Sequence, residues 1–93
     1  MAASATRYKL IFHAPLGAVE ACKQAIFEAG AGHYPNYSQC AFTVVGDGQF
    51  LPGPAAQPHV GRPGVLETLK EAKVEAICVG EETTRKVVAA LKK

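Results

Sequence analysis

Apolar and polar residues alternate almost from the start of the chain. Tyr8, Leu10 and Phe12 take turns with Lys9, Ile11 and His13, the period of two that a β-strand requires. Ala14-Pro15 closes this strand, and the period then changes. Across residues 16–29, Val19, Cys22, Ile26 and Ala29 recur at spacings of three and four. They line one face of a helix, with Glu20, Gln24 and Glu28 pointing elsewhere. The AGAG run at 29–32 is a helix stop, because glycine readily takes the left-handed conformation of a C-cap. A second strand is predicted over residues 37–45, with Cys40, Phe42 and Val44 on one face and Ala41, Thr43 and Val45 on the other. Both faces are apolar, whereas a sheet with one solvated face shows polar alternation. Helices can cover one face, and a partner subunit is the economical cover for the other.

The stretch VVGDGQFLPGPAAQPHVGRPG, residues 44–64, then brings five glycines and four prolines. Its GDG segment predicts a tight turn, followed by a short apolar piece at 49–51 and an irregular arm over 52–64. With φ locked at each proline the arm is semi-rigid, and loops this long are usually functional or interface-forming. Residues 65–79 read as one long twisted strand, in whose second half Val74, Ala76 and Cys78 alternate with Glu75, Ile77 and Val79. Thr84, Val87, Val88 and Leu91 form the apolar stripe of a closing helix over 81–93, with Glu81 and Glu82 well placed at its N-terminus. The order β-α-β-β-β-α, with antiparallel middle strands, predicts an α+β, ferredoxin-like split βαβ fold. Two helices would lie on one face of the antiparallel sheet, and the closing strand of that fold would be absent. Residues 1–6 read as a flexible N-terminus and 7–93 as a single domain.

Composition narrows the function classes. With 48% hydrophobic and 19% charged residues among 93, the chain is globular and small. Its net charge of +2, carried by scattered cations, gives no footprint for nucleic acid or an anionic membrane. No apolar run approaches the roughly 18–20 residues that span a bilayer, and the N-terminus lacks a signal-peptide core. Three cysteines, Cys22, Cys40 and Cys78, form no close pair. That points to a reducing, cytoplasmic setting, with the cysteines acting as small buried hydrophobes.

The chemical motifs fail one by one. A phosphate-binding P-loop needs Lys followed by Ser or Thr after its second glycine, and GDGQFLPG supplies neither. A dinucleotide fingerprint wants a third glycine where Leu51 stands, and a helix after it. His13, His33 and His59 lack the spacing of a helical metal pair, and no C-x-x-C knot is present. A metal site shared between subunits stays open. Glu67, Glu71 and Glu75 fall on one face whether the segment is helix or strand, a solvated charged face beside Lys70 and Lys73. No serine stands in a G-x-S-x-G elbow.

YKLIFHAP followed by a helix, then EAGAGHYPNYSQCAF, then GDGQFLPGPAAQPHVGRPGVLE together resemble one family. They are similar to the PII-like (CutA-like) insert domain of the NGG-interacting-factor dimetal family, often labelled GTP cyclohydrolase I type 2-like. The resemblance runs from Tyr8 to Lys93. Its most specific positions are Gly30-Ala31-Gly32, Asn36-Tyr37, Cys40, Gly46, Gly48, Gln49 and Phe50, with Pro58, Gly61, Gly64, Leu66 and Glu67 completing the pattern. It implies a ferredoxin-like fold whose CutA and PII relatives form trimers through their sheets. The dimetal centre belongs to other domains of the full-length family, so its metal and hydrolase labels do not carry over.

The leading expectation is a non-enzymatic, cytoplasmic homo-oligomer, a trimer, that binds a small molecule, a metal or a protein in a regulatory role. A purely structural interaction domain and a metal-dependent hydrolase are the alternatives. No organic cofactor is expected, and a divalent metal stays open. Gly46, Gly48, Gln49 and Phe50 are the candidate ligand loop, with His33 and Tyr37 as cleft neighbours. Gln49 could present its amide to a ligand, and Phe50 reads as a packing anchor.

Overall fold

In the computed structural model, the structure is described for residues 6–55 and 61–92. The chain runs through β1 (Arg7–Pro15), a 3-10 turn (Leu16–Ala18), α1 (Val19–Glu28), β2 (Phe42–Phe50), β3 (Glu67–Val79) and α2 (Glu81–Leu91). The three strands form one antiparallel sheet in the order β1-β3-β2. This is the expected α+β arrangement, with β3 in the centre.

Alternation along β3 decides which face is covered. Ala72, Val74, Ala76 and Cys78 are buried, and their cross-strand neighbours on β1 are Ala14, Phe12, Leu10 and Tyr8. Ile26 of α1 and Val87 of α2 pack on Ala76 and Cys78, with Leu10, Phe12 and Phe27 around them. Val19, at the start of α1, packs with Ala14, Ala72 and Val74. Both helices therefore lie on the same face. The intervening positions of β3, from Glu67 through Glu75 to Val79, point to the opposite face, which no element of the described chain covers.

Each helix is tied to the sheet by glycine. At the end of α1 the Gly30 N–H donates to the Phe27 carbonyl (3.1 Å) and the Ala31 N–H to the Ile26 carbonyl (2.9 Å). This is a Schellman closure with Gly30 at φ 114°. The Gly32 N–H then donates to the Ile77 carbonyl of β3 (2.8 Å), while its own carbonyl accepts the Cys40 N–H (3.0 Å). Gly32 has φ 78°, and a Cβ there would stand 2.8 Å from both the backbone N and O of Cys40. At the other end the Gly80 N–H donates to the Thr6 carbonyl, joining the β3–α2 corner to the approach to β1. Glu81 and Glu82 occupy the first turn of α2, where they complement the helix dipole.

Two expectations about the middle of the chain need correction. The second strand begins at Phe42, not at residue 37. Asn36 (φ 69°) and Gln39 (φ 57°) are left-handed, and the Tyr34 and Tyr37 backbones hydrogen-bond to each other across a tight turn. The GDG segment is no turn. Gly46, Asp47 and Gly48 continue β2, paired with Glu71, Lys70 and Leu69, and the piece read as separate at 49–51 largely belongs to the same strand. The order is therefore β-α-β-β-α. The glycine at 48 has a packing reason: a Cβ there would lie 2.4 Å from Oε1 of Glu71, whose side chain crosses it. Gly61 makes similar room for Glu67.

β3 outruns β1. β1 pairs with β3 only as far as Glu71, so residues 67–70 pair with β2 alone and extend a two-stranded ribbon roughly 13 Å past the three-stranded part. The Asp47–Lys70 ion pair (2.8 Å) joins register partners on this ribbon. The radius of gyration is 16.3 Å and the longest extent 58 Å, against roughly 12 Å for the radius of a compact chain this long. The arm begins at buried Pro52, whose carbonyl accepts the Gly64 N–H (2.9 Å). Residues 56–60, Pro58 and His59 among them, lie outside the described residues, as do most of the N-terminal residues expected to be flexible.

Cysteine burial is uneven. Cys78 is fully buried, whereas Cys22 and Cys40 are only partly so. Burial pushes the Cys78 thiol upward, partly opposed by a hydrogen bond from Thr84. Because the fold disfavours the thiolate, the unfolded chain loses this proton first. The resulting stability is intact below the ordinary thiol value of 9.0 and lost as pH rises through the higher folded value. A thiol reagent at neutral pH should therefore modify Cys22 and Cys40 in the native protein and reach Cys78 only on unfolding, as peptide mapping would show. Modification of Cys78 at the native rate of Cys40 would contradict this packing. Gly32→Ala should destabilise by more than about 1 kcal/mol, since it adds both positive-φ strain and a backbone clash. Gly46→Ala meets no atom within 4 Å and should fall within about 0.5 kcal/mol of the parent. Urea unfolding of the two variants checks the contrast.

Candidate functional site

The six candidate residues fall into two places. Gly46, Gly48, Gln49 and Phe50 lie in β2 rather than in a loop. Gly48 and Phe50 lie on the open face with β3's Leu69 and Glu67, and Gln49 pairs with Thr68 on the other side. Gln49 is exposed and Phe50 half-buried, so Phe50 packs on the ribbon. His33 and Tyr37 lie in the α1–β2 connection, before Phe42. Six residues of strand separate Phe42 from Gly48, roughly 20 Å at strand rise, so these groups do not share one cleft.

His33 lines a groove between α1 and the 33–39 turn. The groove has a volume of about 580 Å³, and Glu20, Lys23, Phe27 and Gln39 share its wall. The turn shapes it: left-handed Asn36 and Gln39 reverse the chain over the flank of α1. Lys23 Nζ lies 3.2 Å from Glu20 Oε2, and Gln24 Nε2 donates to Glu28 Oε1 at 3.2 Å. The wall thus offers donors and acceptors of both charges around one aromatic edge, and its size falls in the range of small-molecule sites. Tyr37 stands clear of it, 71% exposed.

A second concavity, missed from the sequence, opens on the bare face of the sheet. Its volume is about 280 Å³, and it is lined by Lys9, Tyr34, Cys40, Phe42, Glu75 and Ile77. Glu75 is its electrostatic centre, with Oε1 3.3 Å from Lys9 Nζ and Oε2 3.6 Å from Lys73 Nζ. Around this cluster Ile11, Phe42 and Val44 remain 47%, 64% and 47% exposed. The alternation of Glu75 with Val74 and Ala76 was the available signal for this face. What alternation could not supply was the register that sets Lys9 and Phe42 beside it.

Neither concavity holds the parts of a hydrolytic centre. Among the described residues, no three His, Cys, Asp or Glu side chains converge on a metal-sized site. His13 and His33 sit on separate elements, and His59 lies outside the described residues. Among the described residues the donor set does not fit a dimetal centre.

Comparison with known proteins is decisive for kinship. No family model matches the chain. The GTP cyclohydrolase 1 type 2 homolog of Mycobacterium leprae is 45% identical over 69 residues, covering 74% of this chain and 18% of that protein. Its counterpart in Halalkalibacterium halodurans is 42% identical over 84 residues, covering 90% of this chain and 22% of that protein. The crystal structure of a Bacillus cereus protein related to NIF3 superposes with a TM-score of 0.79 at 31% identity, covering 97% of this chain and 22% of that one. The chain is a NIF3-like homologue. It spans about a fifth of the length of these relatives, and the superposition extends over nearly all of its ferredoxin-like fold. The sequence resemblance thus holds for the NIF3-like kinship and for the fold.

The Glu75 cluster of this NIF3-like chain is solvated, and exposed ion pairs contribute under about 1 kcal/mol. In the dissociated monomer, Glu75→Gln should lower stability by no more than that, with the difference fading in high salt, as paired urea titrations at low and high ionic strength would show. A loss above about 3 kcal/mol would mean that Glu75 is desolvated already in the monomer, as a buried pair would be.

Proposed function

We propose that this NIF3-like chain is a non-enzymatic, cytoplasmic oligomeric module that assembles through its sheet and binds a small polar ligand in a regulatory role. The observation that carries the assembly is the bare sheet face. Ile11, Phe42, Val44 and Val79 are 39–64% exposed on one side of the sheet, while both helices occupy the other. Burying the exposed half of each such side chain contributes roughly 1 kcal/mol, and contiguous apolar patches of this kind mark interaction surfaces. The groove at His33 supports the ligand-binding part. It lies away from the sheet's bare face, so it stays open when copies meet there.

The trimer is the preferred assembly because the PII-like and CutA-like relatives that the sequence resembles form trimers through their sheets. The relatives' name speaks of a cyclohydrolase, but it describes proteins about five times longer. No described helix is long and apolar enough to cross a membrane.

Sedimentation equilibrium at micromolar concentration tests the reading. The expected result is an oligomer, with Ile11→Asp raising the dissociation constant at least tenfold while far-ultraviolet circular dichroism stays unchanged. A parent protein that remains monomeric throughout that range would overturn it.

A further inference from the structure

The groove between α1 and the 33–39 turn contains an unmatched charge. α1 closes on Glu28, and its last turn has no basic residue. The C-terminal end of a helix carries the negative half of its dipole and favours a cation, so a carboxylate stands there against the local field. Gln24 Nε2 donates to Oε1 of Glu28 at 3.2 Å, which steadies the carboxylate and leaves Oε2 open to the groove. The ion pairs among the described residues take up Glu20, Asp47, Glu75, Glu81 and Glu82, and none includes Glu28.

Beside Glu28 the groove has an aromatic wall. Phe27 packs against the core cluster of Ile26, Ala76 and Val87, and it also lines the groove, facing His33 and Gln39 of the turn. Gly32 keeps room for its ring, since a Cβ there would stand 3.1 Å from Cε1 of Phe27. Lys23, on the other flank, does not neutralise Glu28, because its Nζ pairs with Oε2 of Glu20 at 3.2 Å. Two carboxylates thus stand against one ammonium on this wall, and the unmatched one lies next to the aromatic side chain.

We propose that the ligand of this groove is a small organic cation, a primary amine with an apolar body. Its ammonium is seated between Glu28 and the C-terminal end of α1, and its hydrocarbon lies against Phe27. This rests on the ligand-binding role read above and names the ligand's chemistry. An ammonium gives Oε2 of Glu28 a charge-assisted hydrogen bond, answers the helix end, and meets the electron-rich ring of Phe27. Gln39, held left-handed at φ 57°, brings a side-chain amide to the opposite wall, whose oxygen can accept a further ammonium hydrogen. A bare metal ion finds no seat, because no three metal-ligating side chains converge among the described residues. An anion would have to compete with Glu20 for Lys23 and would meet the repulsion of Glu28. A neutral molecule would gain Phe27 but leave Glu28 unmatched.

Three probes of one shape and different charge test this against the full chain, read by backbone amide shifts in nuclear magnetic resonance. They are 2-phenylethylamine, the neutral 2-phenylethanol and the anion phenylacetate. The expected result is saturable shifts at residues 23–28 and 33–39, with the amine bound about fivefold or more tighter than either control, the scale of one exposed charge pair. Glu28→Gln should weaken the amine by about the same factor, leave the alcohol unchanged, and leave the far-ultraviolet circular dichroism as in the parent. Amine binding that Glu28→Gln does not weaken would overturn the proposal. If the alcohol or phenylacetate saturates these residues as tightly as the amine, the cation is overturned and the groove remains a ligand site. If none of the three moves these resonances, the cation and the ligand-binding reading of the groove fall together.

Discussion

The pairing of β3 with two partners at once is the constraint from which the rest follows. Its thirteen residues bond to β1 on one side and β2 on the other. Strand geometry sends Ala72, Val74, Ala76 and Cys78 to one face and Glu71, Lys73, Glu75 and Ile77 to the other. The first set is small and apolar, so α1 and α2 settle on it, and Ile26 and Val87 can be fully buried by a short chain. The second set mixes charge with Ile77 and Val79, so that face keeps an apolar surface around a solvated ion cluster. A one-residue slip of β3 would exchange the two faces and place Glu75 under the helices, so core burial and register are a single decision.

That constraint also explains the ribbon. A two-stranded hairpin is marginal by itself, yet β2 and β3 continue past the last residue of β1. Close fits hold the extension in register: Asp47 with Lys70, Glu71 across Gly48, and Glu67 beside Gly61. Gly48 and Gly61 of the punctuated stretch therefore make space for carboxylates rather than cradling a phosphate.

How much of this was legible depended on whether the signal was local. β1 and α2 followed from periodicity and α1 from its apolar stripe, because each buries one face and carries its own stop. Of the long strand at 67–79, the half from Val74 onward was legible by the same alternation, while the first half also suited a helix on propensity. The start of β2 was not, because it depends on left-handed Asn36 and Gln39 and on the Tyr34–Tyr37 turn, none of which leaves a trace in hydrophobic pattern. GDG read as a turn because glycine favours turns locally, and only pairing with distant Glu71 and Lys70 makes it strand. The candidate site divided for the same reason: once GDGQF is strand, its residues move away from His33. The Lys9–Glu75–Lys73 cluster is a product of register and could not be assembled from spacing.

If the bare sheet face is an interface between copies, stability is tied to association. The most direct measurement is the thermal midpoint of the parent protein as a function of its own concentration. If copies cover each other's sheet faces, folding and assembly are linked by mass action, and the midpoint rises steadily over two or more decades of concentration. A cooperative transition whose midpoint does not move with concentration would contradict the account, because the bare face would then be stable as it stands.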